Sequence, residues 1–182
     1  MSEKECSPVT VRFAVWLLPA EPLRSVLRAS IARLASEFGG PVFEPHVTVY
    51  AGETSHLGVL DGLLGRIGAH DVSRALVPVG SAHGPEFFRA VYLELGPDPA
   101  LEALGERVRN AVPGAARYEL RPHLSLLYGS LDEGARRRAV EIAELPVGAV
   151  YCNELNLVVP RNDRFDWHDV GSWSVEERRE LE

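Results

Sequence analysis

The chain carries one phrase twice. Pro45–Tyr50 reads PHVTVY and Pro122–Tyr128 reads PHLSLLY, which sets His46 and His123 77 positions apart. In each copy a histidine and a hydroxyl residue alternate with aliphatic residues. That period of two describes a strand with one apolar and one polar face. His46 and Thr48 then share a face, about 6–7 Å apart along the strand. Val47 and Val49 point the other way, into a core. His123 and Ser125 stand in the same relation to Leu124 and Leu126. The proline before each histidine suits the first residue of a strand, where its missing N–H does no harm. A single string of this kind arises by chance in roughly one chain in a hundred of this length. Two copies in matching contexts point to an internally repeated unit.

The surrounding pattern supports the repeat. Val9–Leu18 is an apolar run closed by Pro19 and reads as a buried strand. Leu23, Val26, Leu27, Ile31, Leu34 and Phe38 follow at helical spacing, and Gly39-Gly40-Pro41 ends that helix. After the first signature, Leu57, Leu60, Leu63, Leu64 and Ile67 predict a second helix. Val72–Ala82 and Phe87–Leu95 predict two strands joined around His83-Gly84-Pro85. In the second half, Leu101, Leu104, Val108 and Val112 predict a helix that starts at Pro97-Asp98-Pro99 and stops at Pro113-Gly114. The second signature strand follows. Leu131–Leu145 predicts a helix with a basic face at Arg136, Arg137 and Arg138. Val147–Val159 predicts a strand, and Trp173–Val175 a short last one. Each half thus orders helix, signature strand, helix, strand. The expected fold is α+β: one domain spanning 1–182, made of two lobes related by a pseudo-two-fold, with antiparallel sheets facing a central cleft and one signature strand in each lobe.

Composition narrows the function. The 182 residues carry a formal net charge of −7, with 46% apolar and 25% charged residues. An acidic chain does not suit long nucleic acid, whose phosphates call for a basic surface. A small phosphate ligand held by a few groups is compatible. Cys6 and Cys152 are far apart and are expected to be reduced thiols. The polar start, MSEKECSPVT, followed by VRFAVWLLP, is too short and too little basic for a leader or a membrane span. The expected setting is a cytoplasmic monomer with no membrane association.

Two imidazoles and two hydroxyls facing one cleft suit phosphodiester chemistry. A neutral histidine takes a proton from water while a protonated one gives a proton to the departing oxygen. The hydroxyls of Thr48 and Ser125 donate to the non-bridging phosphate oxygens, where charge builds up. The remaining histidines, His56, His70, His83 and His168, show no metal-ligand spacing and read as surface residues. Trp16, in an apolar strand, reads as core first and cleft wall second. Tyr50 shares the face of Thr48 and is expected to edge the pocket, whereas Tyr128, five residues past His123, is expected to point away. Arg89 and Arg121 are candidates for a terminal phosphate, and Phe88 and Trp173 for stacking a base.

The paired H-x-T and H-x-S strands resemble those of the two-histidine phosphoesterase superfamily. FAVWLLP, SEFGGPVFEPHVTVYAG, EFFRAVYLEL, RPHLSLLYGSL and GSWSV are similar, in order and spacing, to the plant and yeast cyclic phosphodiesterases. The resemblance implies an enzyme that opens ribose cyclic phosphates without metal or other cofactor. Its substrates would be ADP-ribose 1″,2″-cyclic phosphate and nucleoside 2′,3′-cyclic phosphates, the latter giving 2′-phosphates. The resemblance makes His46, Thr48, His123 and Ser125 catalytic, with His123 the better candidate for the base and His46 for the acid; the two motifs are chemically equivalent, so the sequence alone leaves the two roles open. The superfamily signature is shared by RNA 2′,3′-cyclic phosphodiesterases, which act on RNA ends. A nucleotide-binding module without turnover is the reading from another class.

Overall fold

A computed structural model describes residues 10–68, 72, 75–143, 148–162 and 166–181. Among them, eight strands and four helices alternate as β1 (Val11–Pro19), α1 (Leu23–Phe38), β2 (Val47–Thr54), α2 (Leu63–Arg66), β3 (Ala75–Leu76), β4 (Pro78–His83), β5 (Val91–Leu95), α3 (Pro99–Ala111), β6 (His123–Leu127), α4 (Glu133–Ile142), β7 (Val150–Pro160) and β8 (Trp173–Glu180). The sheet order is β3-β7-β1-β2-β6-β5-β4, with β8 also paired to β7, and every pairing is antiparallel. The two signature strands are therefore neighbours at the centre, β2 against β6, joined at the pair Val47↔Leu124. Reading outward from that junction, β1 mirrors β5 and β7 mirrors β4. This is the expected pseudo-two-fold, and it is an α+β arrangement as predicted.

The helices cover one face of the sheet. Val11, Phe13, Val15 and Leu17 of β1, Val47 and Val49 of β2, and Leu124 and Leu126 of β6 all enter one core with Leu27 and Leu34 of α1 and Leu101, Leu104 and Val108 of α3. The period-two alternation thus does what the sequence implied, sending aliphatic side chains toward the helices and leaving the histidines on the opposite face. Side-chain caps mark two helix starts: Asp98 accepts from Leu101 N–H at 2.9 Å and Asp132 from Ala135 N–H at 2.8 Å. α1 ends at Gly39-Gly40, where a Cβ on Gly40 would lie 2.4 Å from the Tyr128 carbonyl oxygen. The absence of a side chain there lets the segment leading to His46 run against the end of β6.

Several elements differ from the sequence reading. The helix expected over Leu57–Ile67 is a single 3-10 turn at Leu57–Val59 and the short α2, interrupted by Gly62 at φ 65. Three glycines in that window weaken a helix that its leucine spacing alone would support. The strand expected over Val72–Ala82 is split at Pro78: β3 pairs with β7, and β4 pairs with β5. β3 and β4 themselves lie at opposite ends of the strand order, six strand spacings or roughly 29 Å apart if the sheet were flat. Only Val77 separates β3 from β4, so the sheet is curled and this segment ties its edges together. The last strand runs eight residues, Trp173–Glu180, and makes a long hairpin with β7. Part of the expected Leu131–Leu145 helix falls outside the described residues, as do Cys6 and His70; α4 itself covers Glu133–Ile142. Cys152 is a buried free thiol, its pKa pushed up to about 12 by burial. Among the described residues, no helix is long and apolar enough to cross a membrane.

The central junction should dominate stability. Leu124→Ala removes a fully buried side chain where β2 meets β6, and a loss of about 2–5 kcal/mol is expected in chemical denaturation. Val79→Ala, exposed on β4, should stay within about 0.5 kcal/mol of wild type. A Leu124→Ala loss no larger than that of Val79→Ala would contradict the placement of the core.

Candidate active site

The face opposite the helices holds a cleft of about 290 Å³. His46, Thr48, His123 and Ser125 all line it, together with Trp16, Phe88, Arg89, Tyr118, Tyr128, Trp167 and Trp173. The antiparallel register Val47↔Leu124 explains the convergence. Continued one residue either way, it sets His46 beside Ser125 and Thr48 beside His123.

Each imidazole is oriented by the same device. His46 Nδ1–H donates to the Glu44 carbonyl at 2.6 Å, and His123 Nδ1–H donates to the Arg121 carbonyl at 2.6 Å. A carbonyl accepts only, so the neutral ring carries its proton on Nδ1, and Nε2 is left with a lone pair for the cleft. Trp16 stacks flat on His46, with centroids 3.7 Å apart and planes 11° apart. Tyr92 occupies the corresponding place beside His123, edge-on at 5.6 Å. The two hydroxyls are not equivalent. Ser125 Oγ–H donates to the Phe88 carbonyl at 2.7 Å, and must turn before it can donate to a ligand. Thr48 has no such bond among the described residues and is free to donate.

Burial shapes the charge of the site. It pushes the His46 pKa down to about 4, with protonated His123 acting in the same direction and the Glu44 carbonyl opposing. His123 is also lowered, first by burial and then by Arg89, against the Arg121 carbonyl. Both imidazoles are therefore neutral in the free protein near pH 7.

Of the other predicted binding residues, Phe88, Arg89 and Trp173 line the cleft, while Tyr50 and Arg121 do not. A β-bulge displaces Tyr50. Val15 pairs with Tyr50 but Trp16 with Thr48, so Val49 is the extra residue and the alternation slips by one. Tyr50 consequently joins the core, its hydroxyl donating to the Ala116 carbonyl at 2.7 Å, and Ala51 takes the cleft position. β6 has the same bulge at the same place: Tyr92 pairs with Ser125 but Val91 with Leu127, leaving Leu126 extra. The slip turns Tyr128 into the cleft instead of away from it, stacked on Phe43 at 3.6 Å. Burial raises the Tyr128 pKa, so the phenol stays protonated. Arg121 is exposed, paired with Glu119 at 3.0 Å, and lines a neighbouring groove that also touches Arg89 and His123.

Sequence reasoning missed Tyr118, Tyr128 and Trp167 and placed Trp16 in the core first. Tyr128 and Ala51 hold matching places in the repeat, three residues past a hydroxyl, but only the bulges set the face they take. Trp167 comes from the loop joining β7 and β8. Its carbonyl accepts from Trp173 Nε1–H at 3.0 Å, and both rings pack against Trp16. His168, exposed as expected, sits over Phe88 at 5.0 Å.

Comparison with solved structures bears on the fold first. A crystal structure described as a phosphoesterase superposes with a TM-score of 0.60, covering 94% of this chain and 98% of that one at 17% identity. Escherichia coli LigT in apo form gives 0.55, covering 95% and 98% at 19% identity; LigT has also been crystallised with ATP and with 3′-AMP. At these identities the likeness shows the fold. The sequence then narrows the class. Residues 11–147, both signature strands included, match the family described as cyclic phosphodiesterase-like protein. A cyclic phosphodiesterase of Arabidopsis thaliana is 31% identical over 135 residues, 72% of each chain. The chain belongs to the cyclic phosphodiesterase-like family of two-histidine phosphoesterases and is a phosphodiesterase enzyme.

Two outcomes follow from this geometry. Unfolded His46 takes a proton near the ordinary 6.5 while the folded form resists until about 4, so the unfolded state binds more protons in that window. Stability should be full above about pH 6.5 and fall by up to about 3 kcal/mol as the pH drops to 4. Urea titrations of wild type and His46→Gln across that range should show a shallower fall for the variant; equal slopes would contradict a buried neutral His46. Thr48→Val should lower kcat by about 10²-fold, and Ser125→Ala by less, because only Thr48 has a hydroxyl proton already free for the phosphate. A larger loss for Ser125→Ala would reverse that order.

Proposed function

We propose that this enzyme hydrolyses ribose cyclic phosphodiesters by two-histidine acid–base catalysis without a metal. It would convert ADP-ribose 1″,2″-cyclic phosphate to the 1″-phosphate and nucleoside 2′,3′-cyclic phosphates to 2′-phosphates. One observation carries the reading: two imidazoles, each with Nδ1–H tied to the carbonyl two residues back, present Nε2 to one aromatic cleft. Family membership supports the reaction, and the nucleotide complexes of the structurally similar LigT support a small nucleotide as ligand.

In the proposed step the base takes a proton from water. The water oxygen bonds to phosphorus, the P–O3′ bond breaks, and the acid gives its proton to O3′. The phosphate stays on O2′. The family resemblance makes His123 the base and His46 the acid. Burial of His46 opposes its charge in the free protein. The phosphodiester anion between the rings supplies the counter-charge that raises both values when it binds. The face of Trp16 on His46 favours the imidazolium further. Phe88 and Trp173, with centroids 6.5 Å apart, would flank the base. Arg89, held by Glu86 at 2.7 Å at the cleft wall, would meet a further phosphate.

The groove beyond His123 favours a second reading, an RNA end as substrate, because it carries Arg89 and Arg121 past the reacting position. Comparison of a cyclic-phosphate-ended oligonucleotide with the mononucleotide separates the two. Equal or better kcat/KM on the mononucleotide supports the leading reading. A large preference for the oligonucleotide, lost in Arg121→Ala, supports the other.

His46→Ala and His123→Ala should each lower kcat on a nucleoside 2′,3′-cyclic phosphate by about 10²–10⁴-fold. A substrate with a good leaving group needs no acid and should rescue His46→Ala but not His123→Ala; the opposite rescue would exchange the roles. Turnover should persist in EDTA. Loss of activity in EDTA with recovery on adding a divalent ion would overturn the reading, and no turnover under any condition would leave a binding module. The bell-shaped profile of kcat/KM reports the free enzyme, whose two imidazoles are both lowered, so its optimum should lie below about 6.5. The kcat optimum should lie higher, because the bound anion raises both values. A kcat/KM optimum above that of kcat would contradict it.

A further inference from the structure

The two histidines are held by like carbonyls, but the two carbonyls are not held alike. On the His123 side the backbone supplies the anchor: Leu95 N–H donates to the Pro122 carbonyl at 3.0 Å, next to the Arg121 carbonyl that receives His123. On the His46 side, residues 39–46 form no regular secondary structure, and Pro41 and Pro45 have no N–H to contribute. Charge takes over there. The Glu44 carboxylate accepts from Arg28 Nε–H at 2.8 Å and from its second terminal nitrogen at 2.7 Å. Arg24 Nε–H donates to the same carboxylate, and its terminal nitrogen reaches Glu154 of β7 at 3.3 Å. Arg178 of β8 pairs with the other Glu154 oxygen at 3.2 Å. Burial opposes the Glu44 charge, yet Arg28 and Arg24 keep its carboxyl below the usual range. A loop residue whose main-chain carbonyl receives the imidazole is thus bolted through its side chain to α1, and through Arg24 to β7.

We propose that Glu44, clamped by Arg24 and Arg28, is a positioning residue for the reaction: it fixes the carbonyl that aims His46 at the phosphate. The proposal rests on the acid–base role given to His46 above. A bidentate arginine–carboxylate pair fixes direction as well as distance, and a misplacement of about 1 Å in a reacting group can lower a rate by about 10²-fold. The charged groups around His46 are Glu44 on its own segment and His123 from β6; Arg24, Arg28, Glu21, Glu154 and Arg178 stand behind Glu44. Neutralising Glu44 removes the negative member nearest the ring and leaves Arg24 with Glu154 alone and Arg28 with Glu21 alone, so His46 becomes harder to protonate.

The test is Glu44→Gln, which keeps the side chain's size and loses its charge, with Arg28→Gln as a milder version that leaves Arg24 in place. Glu44→Gln should lower kcat on a nucleoside 2′,3′-cyclic phosphate by about 10-fold, with KM changed less than about threefold. By NMR, its His46 Nδ1 proton should exchange faster and the His46 titration should move to lower pH, while the His123 signals stay in place. Arg28→Gln should shift the same signals in the same sense by less. Glu119→Gln, which releases Arg121 beside His123, should change none of them. A purely structural Glu44 would lower the melting temperature without moving the His46 signals, and that result overturns the proposal. So does wild-type kcat and an unchanged His46 spectrum in Glu44→Gln when His46→Ala is inactive. If His46→Ala keeps its kcat, the catalytic reading itself fails, and the NMR shifts still decide whether Glu44 orients the ring.

Discussion

The structure turns on one antiparallel contact, Val47 against Leu124. Both side chains are fully buried in the core beneath the sheet, and their burial fixes which face of each strand is polar. A slip of one residue at this junction would send histidines into the core and leucines into the cleft. Because the strands run antiparallel, each histidine meets the hydroxyl of the other copy rather than its own. Two chemically identical phrases thereby make one site with an approximate two-fold axis through it. The matching bulges at Val49 and Leu126 end this alternation right after the hydroxyls and return the chain to the core.

The symmetry is broken by what surrounds it. His46 is stacked beneath an indole and buried, whereas His123 is half-buried and meets a tyrosine edge. The loop between β7 and β8 adds Trp167, and the first residue of β8 adds Trp173, on the side of Trp16. An apolar wall of this kind suppresses imidazolium in the empty cleft and strengthens its attraction to a bound anion. In the proposed mechanism this packing, rather than the signature residues, would set the two histidines apart as acid and base.

The sequence was most legible where a single periodicity governed. The alternation in PHVTVY and PHLSLLY placed both histidines and both hydroxyls correctly, and the spacing from Leu23 to Phe38 and from Leu101 to Val108 predicted α1 and α3. It was least legible where one residue changes a period. A bulge cannot be read from apolar alternation when the residues on both sides of it are apolar, so Tyr50 and Tyr128 exchanged their expected faces. Trp16 was ambiguous because a tryptophan in an apolar strand satisfies either face. Pro78 could have signalled the break between β3 and β4, since it cannot donate to a central ladder. Arg121 was drawn toward the site by its nearness in sequence to His123, but its side chain lies along the neighbouring groove.

The most direct measurement is a crystal structure with a nucleoside bound to a pentacoordinate phosphorus mimic such as vanadate. The expected result has the mimic between β2 and β6, with Nε2 of His46 and Nε2 of His123 each about 2.6–3.2 Å from opposite apical oxygens and the base against Phe88 or Trp173. A mimic bound outside this cleft, or inside it with either imidazole out of reach of an apical oxygen, would contradict two-histidine catalysis.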